Sequence, residues 1–144
     1  PGVGAHPKSA SLSLFKQLMN KKMPLVPSIK LPVVDIRDVV QMHIAALEND
    51  ASIGHRYLVS EGEYWMTDVC KTFNELGMNI PVLKAPNSLI RFMGLFDSSM
   101  KSMSYLLDRD YNINTHNAKT ILGFNPIPFK QTIEDTNAYL QNID

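Results

Sequence analysis

Apolar residues recur at spacings of three and four along much of the chain, and this periodicity predicts a series of amphipathic helices. Ser9 and Ser11 offer hydroxyl caps for the first helix, whose apolar residues then repeat as far as Met19. The stretch 24–32 contains three prolines and predicts an extended loop. Residues 33–34, both valine, predict a very short strand directly after it.

A second helix is predicted after Asp35, whose carboxylate can cap the first turn, with Asp38 at the reciprocal position of a capping box. Its periodicity predicts one buried face, made of Ile36, Val40, Ile44 and Leu47. Residues 55–60 then have the length and the β-rich composition of a buried strand, and 61–63 predict a turn.

A third helix is predicted from Thr67, which can cap it, to Gly77, a residue type suited to the left-handed position after a helix. Its inward positions are Val69, Cys70, Phe73 and Leu76. The order helix, strand, helix is typical of an α/β fold. Shorter patterns predict a brief strand over 80–84 and helices from 87, over 100–107, over 115–122 and after Pro128.

Composition narrows the function classes. The 144 residues are enough for about one domain. Because 14 basic side chains balance 14 acidic ones, the chain has no net positive charge to attract nucleic-acid phosphates or anionic lipids. We therefore expect no nucleic-acid partner and no membrane partner. The single cysteine, Cys70, is interpreted as an inert core residue and gives no sign of an oxidising compartment, so a cytoplasmic location is expected. The sequence begins at Pro1 without a methionine, and we expect it to be part of a longer protein.

The sequence lacks most of the familiar catalytic and binding motifs. The segment 2–4, Gly-Val-Gly, has Pro7 where the third glycine of a dinucleotide fingerprint belongs, and no strand precedes it. Walker, HExxH and GxSxG motifs are absent from the sequence. The four histidines lie far apart along the chain, so no metal site is predicted.

Three features admit both a functional and a structural interpretation. His43 is either an acid or base in a cleft or a packed histidine, and we favour the second. Asp35, Arg37 and Asp38 are either a catalytic cluster or the caps of a helix start, and we favour capping. The Met- and Phe-rich stretch 89–103 suits a pocket lining, a partner surface or a core, and these alternatives stay open.

Several motifs occur in the order typical of one family. Residues 33–47, VVDIRDVVQMHIAAL, closely resemble the VDVRDVAxAHxxAL segment of the extended short-chain dehydrogenases/reductases, the NAD-dependent epimerase/dehydratase family. Residues 54–60 resemble its G-x-RYxxS strand, and residues 122–126 resemble its LGF/W-x-P motif. Residues 9–24 are similar to the helix and loop that precede the first motif. Within that family, the motifs most resemble the branch of dihydroflavonol reductase and cinnamoyl-CoA reductase.

The resemblance implies the C-terminal part of a doubly wound, Rossmann-type α/β fold with a small α+β substrate lobe. On that mapping, residues 1–77 hold the end of the nucleotide-binding sheet and an interleaved substrate-lobe helix. Residues 78–144 hold the C-terminal substrate lobe.

The implied reaction is hydride transfer between NADP or NAD and a carbonyl, with a Tyr-x-x-x-Lys pair in which the lysine lowers the pKa of the proton-donating tyrosine. None of the five tyrosines has a lysine four positions on; those positions hold Glu61, Asp68, Arg109, Thr115 and Ile143. We therefore expect no catalytic residue in this chain and no cofactor binding by this chain alone. The glycine-rich loop and the catalytic pair are expected in an N-terminal half outside it.

The resemblance also implies positions for contacts. Pro1 is expected at the edge of the cofactor pocket, and the substrate-lining candidates are Ser11, Leu14, Phe15, Pro32 and Val34. The expected partners are the N-terminal half of the same protein and a small-molecule substrate, and a homodimer stays open. The alternative function is a non-catalytic binding or interaction module derived from the same lobe, with 89–103 as its surface.

Overall fold

The structure, a computed structural model, describes residues 1–2 and 9–143, without the side chains of Ala10, Ser99 and Ile143. Val3, Gly4, His6 and Pro7 lie outside the described residues, and so does most of the Gly-Val-Gly segment. The elements are α1 (Ala10–Met19), β1 (Lys30–Val33), α2 (Ile36–Leu47), a 3₁₀ turn (Asp50–Ser52), β2 (Gly62–Trp65), α3 (Met66–Glu75), α4 (Asn87–Met93), α5 (Ser98–Ser104), α6 (His116–Leu122) and α7 (Phe129–Ile143). Strands β1 and β2 pair in a two-stranded sheet, which confirms a mixed α/β chain.

The chain divides into two compact units that interleave in sequence. Unit 1 consists of 1–12, 32–63 and 112–144, and unit 2 consists of 13–31 and 64–111. Among residues 1–2 and 9–143, no helix combines the length and the hydropathy that crossing a bilayer requires.

Unit 1 is built around α2, α6 and α7. Its buried apolar residues include Leu122, Phe124, Phe129, Ile133 and Leu140. Asn49 caps the 3₁₀ turn through Ala51 N and donates from Nδ2 to the Ile121 carbonyl at 3.0 Å, which ties that turn to α6. Asp35, Asp38, Thr132 and Thr136 are buried polar residues of this unit.

Unit 2 contains α3, α4 and α5. Phe15 and Phe73 meet edge to face, with 5.3 Å between ring centroids. A second cluster of buried side chains comprises Ile29, Ala85, Ile90 and Leu107. Val26 forms a parallel bridge with Lys84, so the brief strand predicted over 80–84 is reduced to a single bridge.

Four of the predicted signals at helix ends are confirmed. Ser9 Oγ accepts a hydrogen bond from Leu12 N at 3.3 Å at the start of α1. Asp35 caps α2 by accepting from Arg37 N. Gly77 and Gly123 adopt positive φ values of 86° and 67° after α3 and α6, a conformation that costs glycine little.

The predictions of a strand over 55–60 and of a turn over 61–63 are wrong. Residues 55–60 form no strand, because no described segment pairs with their backbone; His55, Arg56 and Leu58 are exposed, whereas Ser60 is buried. The predicted turn 61–63 instead opens β2, since Glu61 N donates to Val33 O at 2.8 Å and begins the pairing with β1. Helix α3 consequently starts at Met66, with Trp65 rather than Thr67 at its N-cap.

The predicted burial of the apolar face of α2 is also wrong: Ile36 is only half-buried, and the other three residues are exposed. Val40, Ile44 and Leu47 are 54%, 48% and 87% exposed. The periodicity correctly identifies an apolar stripe, but unit 1 does not cover it. We refer to these three residues as the α2 stripe.

Candidate functional site

At the start of α2, Asp35, Arg37 and Asp135 form an ion-pair network that joins separate parts of unit 1. We call these three residues the node. Arg37 Nε and Nη2 donate to the two carboxylate oxygens of Asp35 at 2.9 and 2.8 Å. Arg37 Nη2 also donates to Asp135 Oδ2 at 2.6 Å, and Gln131 Nε2 holds the other oxygen of Asp135 at 2.8 Å. The planar guanidinium of Arg37 thus binds the Asp35 carboxylate in a bidentate manner. Its further hydrogen bond to Asp135 fixes α2 against α7.

Asp35 is 1% exposed, and its carboxylate stays charged. Burial alone would raise its pKa, but hydrogen bonds from Arg37 and Thr132 and the charge of Arg37 together lower the pKa below the ordinary value of 3.8. The same contacts raise the pKa of Arg37. The node is therefore a permanent ion pair at neutral pH, which suits a structural role better than proton transfer.

The node also holds the first described residues. Ile36 N donates to the Pro1 carbonyl at 2.8 Å. Gly2, with φ at 122°, packs so closely that an added Cβ would lie 2.6 Å from Asp35 Oδ1. Glycine is required there on both counts. Pro1, the predicted cofactor contact, thus sits at the N-terminal end of α2 with its carbonyl already bonded.

Asp38 differs from Asp35 although both carboxylates are buried. Its Oδ2 accepts from Ile127 N at 3.0 Å, which ties α2 to the segment before α7. Burial is the largest effect on Asp38 and raises its pKa, and the charge of Asp35 adds to the rise. The capping interpretation is therefore confirmed for Asp35. Asp38 instead accepts a hydrogen bond from a backbone amide that is distant in sequence.

His43 lies on an exposed flank of α2. Its Nδ1 donates to the Val39 carbonyl at 2.7 Å, within its own helix. It borders a cavity of about 190 Å³ lined by Val39, Met42, His43, Ala46, Tyr57, Val59 and Leu122. No acidic group stands among these lining residues, so His43 has no partner here for acid–base work.

Unit 2 contains a larger apolar cavity, of about 280 Å³. It lies between α4, α5 and the loop over 22–27, and its lining is Lys22, Met23, Pro24, Leu25, Pro27, Ala85, Leu89, Ile90, Met93, Met100 and Met103. We call it the methionine cavity. Five of the fifteen residues of 89–103 line this cavity, and one of them, Ile90, also belongs to the core. Phe92, Leu95 and Phe96 of the same stretch are exposed, so the partner-surface interpretation stays open.

The predicted substrate-lining residues fall in both units. Ser11 and Pro32 are exposed, and Leu14 and Val34 are half-buried. Phe15 is buried against Phe73. None of the five lines either of the two cavities described above.

Two other predictions concern metal binding and thiol chemistry. Within the part of the chain that the structure describes, no three His, Cys, Asp or Glu side chains come together as metal ligands would. Cys70 is fully buried, and burial raises the pKa of its thiol to about 11. A thiol so protonated is a poor nucleophile, as the inert interpretation requires.

Sequence reasoning missed Asp135 and Thr132, the α7 partners of the node. Asp135 stands four residues after Gln131, which is an ordinary helix-surface pair. No local signal connects either of them with Arg37, 98 residues away from Asp135 in the chain. The loop wall of the methionine cavity was missed for the same reason.

Comparison with known proteins agrees with the motif resemblance. No family model matches the chain. The chain is 33% identical over 129 residues to the NADPH-dependent methylglyoxal reductase GRE2 of Saccharomyces cerevisiae, a match that covers 83% of this chain and 33% of that protein.

Solved structures show the same fold. The yeast methylglyoxal/isovaleraldehyde reductase Gre2, solved with NADPH, matches with a TM-score of 0.69 and 26% identity over 98% of this chain and 43% of its own. A nucleoside-diphosphate-sugar epimerase from Pseudomonas aeruginosa matches with a TM-score of 0.72 at 18% identity, over 90% of this chain and 41% of its own. The chain thus spans about a third of the curated relative and about two fifths of these solved chains.

Proposed function

Because this chain is related in sequence and fold to the extended short-chain dehydrogenases/reductases, we propose that it forms the C-terminal part of an NADPH-dependent reductase. The reaction is reduction of a carbonyl group of a small organic molecule. The 129-residue match to a methylglyoxal reductase carries this proposal. The motifs at 33–47, 54–60 and 122–126 support it and favour substrates of the dihydroflavonol reductase type.

The chemistry in this proposal is divided between two parts of one protein. The cofactor supplies hydride when bound, and a Tyr-x-x-x-Lys pair outside this sequence supplies the proton. The chain itself offers neither that pair nor a glycine-rich phosphate loop. Its described residues therefore fit an edge of the cofactor site only. Pro1 would contact the cofactor through its apolar ring, because its carbonyl bonds to Ile36 N.

The α2 stripe and the extended segment 55–60 supply the surface for the other part. Val40, Ile44, Leu47 and Leu58 are each about half exposed or more, and residues 55–60 lack a paired neighbour among the described strands. An apolar stripe gains stability when it is covered, and an unpaired extended segment accepts a neighbouring strand. We propose that the nucleotide-binding part covers both.

On this proposal, four of the five candidates remain available to contact substrate. Ser11, Leu14, Pro32 and Val34 are exposed or half-buried. Phe15 is buried and packed against Phe73, so it is the least accessible of the five candidates.

Reconstitution tests the proposal. The 144-residue chain is expressed alone and together with the upstream part of its reading frame, and NADPH oxidation is followed at fixed methylglyoxal, dihydroflavonol or cinnamoyl-CoA concentration. We expect turnover only when both parts are present. Turnover by the chain alone, or none from the two parts with any of these substrates, would contradict the proposal.

A non-catalytic binding module is the second candidate. The absence of a Tyr-x-x-x-Lys pair favours it, together with the apolar methionine cavity. The length of the reading frame discriminates between the two functions. A frame that encodes a glycine-rich segment and the catalytic pair upstream excludes the module, and a frame limited to these residues excludes the reductase.

A further inference from the structure

The methionine cavity is walled almost entirely by apolar side chains that adapt to what they contact. Met23, Met93, Met100 and Met103 line it, which is half of the eight methionines in the chain. The thioether side chain is flexible and polarisable, so such walls fit apolar ligands of varied shape. Pro24 and Pro27, in the loop, form a more rigid part of the same wall.

Part of this wall is in contact with water. Leu89 and Met93 are 40% and 44% exposed, although both line the cavity. A ligand that covers these side chains gains the free energy of removing apolar surface from water. The cavity is close to the lower end of the volumes typical of small-molecule sites.

The cavity also has one charged side chain. Among its described lining residues Lys22 alone is charged, and it is exposed. An exposed ammonium beside an apolar cavity favours a ligand whose anionic end stays in water while its apolar part enters the protein.

We propose that the methionine cavity binds an unbranched aliphatic chain that ends in a carboxylate, with the chain among the methionines and the carboxylate beside Lys22. The inference does not depend on the proposed function, because it concerns binding by this chain alone. The charge of Lys22 favours this ligand over a second, neutral copy of the chain.

Helices α4 and α5, which carry part of the cavity wall, approach each other closely at Gly94. Gly94 ends α4 and lies so close to α5 that an added Cβ would be 3.0 Å from Lys101 Cα. The two helices that carry Met93, Met100 and Met103 therefore meet backbone to backbone at one end.

Methyl NMR of methionine-labelled protein tests the proposal with an internal control. Decanoate, below its micelle concentration, is titrated into the 144-residue chain. We expect saturable shifts at the four cavity methionines and none at the other four: Met19, Met42, Met66 and Met78. Absence of saturable shifts, equal shifts at all eight, or cavity shifts that depend on protein concentration before decanoate is added would each overturn the proposal.

Chain length and charge give two further readouts. From butanoate to octanoate we expect the affinity to rise about fourfold for each CH₂ that enters the cavity. The Lys22→Gln variant should bind decanoate about two- to fivefold more weakly and bind decanol unchanged. The neighbouring Lys21→Gln variant is the matched control, since Lys21 is also exposed but does not line the cavity. Affinity independent of chain length, or equal weakening by both variants, would overturn the assignment.

Discussion

Arg37 donates from Nε and Nη2 to the two carboxylate oxygens of Asp35, and its Nη2 atom also donates to Asp135. Asp35 is buried, whereas Arg37 remains 38% exposed, so the arginine is the solvent-side half of the pair. The lowered pKa of Asp35 makes its stabilisation complete above the ordinary value of 3.8. That stabilisation is lost as the pH falls through the lower pKa of the folded state.

Replacing Arg37 tests how much this node contributes. In Arg37→Gln, the Asp35 carboxylate stays buried without its cation, and we expect a loss of about 1–3 kcal/mol in the free energy of unfolding at pH 7. The expected loss is smaller than for a fully buried ion pair because Arg37 is partly solvated. Urea denaturation followed by circular dichroism measures the loss.

The exposed pair Lys71–Asp68 supplies the control. Lys71 lies 2.9 Å from Asp68, but both side chains face solvent. We expect Lys71→Gln to change the free energy of unfolding by less than about 0.5 kcal/mol. Equal effects of the two substitutions would mean that the Arg37 node is no more than a surface ion pair.

Asp38 should give the opposite dependence on pH. Its pKa is raised in the folded state, so the charged form is disfavoured there, and wild-type stability relative to Asp38→Asn should grow as the pH falls from 7 towards 4. The asparagine keeps an oxygen to accept from Ile127 N. Urea denaturation of both proteins at several pH values measures this difference.

Asp38→Ala separates the hydrogen bond from the charge. Without the carboxylate, the half-buried Ile127 amide loses its acceptor, and we expect a loss of about 1–3 kcal/mol in the free energy of unfolding at pH 7. If Asp38→Asn and Asp38→Ala were equally unstable at every pH, the hydrogen bond to Ile127 would have no measurable role.

Helix starts could be predicted because their chemistry is local. Ser9 and Asp35 each cap an amide two or three residues away, so a short window of sequence contains the whole interaction. The node could be predicted only in part. The capping role of Asp35 was visible, but the pair with Asp135 spans 98 positions and depends on the packing of α7.

The periodicity of the sequence predicts which surfaces are apolar, but it does not predict which other segment covers them. The stripe of α2 has the spacing of a buried face, yet Leu47 is 87% exposed. Residues 55–60 have the composition of a strand but no partner among the described residues. A strand requires hydrogen bonds from a neighbour, so composition alone could not decide whether it forms.

Gly94 should prove irreplaceable by alanine, although its φ of −64° is helical. Alanine favours a helix by about 1 kcal/mol, but its Cβ would press on the backbone of Lys101. We expect a net loss of about 1–2 kcal/mol in the free energy of unfolding and altered methyl signals from Met93 and Met100. Ser88→Ala, at an exposed position of α4, is the control. Stabilisation by Gly94→Ala would show that α4 and α5 are not in close contact.

The α2 stripe should matter for assembly and not for the stability of the chain alone. Changing Val40, Ile44 and Leu47 to glutamine leaves the thermal midpoint of the isolated chain within about 3 °C, because these side chains are largely exposed. The affinity for the nucleotide-binding part, measured by calorimetry, should fall at least about tenfold, since burial of the three side chains is lost. Changing Val82, Leu83 and Leu95, which are exposed in unit 2, is the matched control. Unchanged affinity in the α2 variant would place the interface elsewhere on the chain.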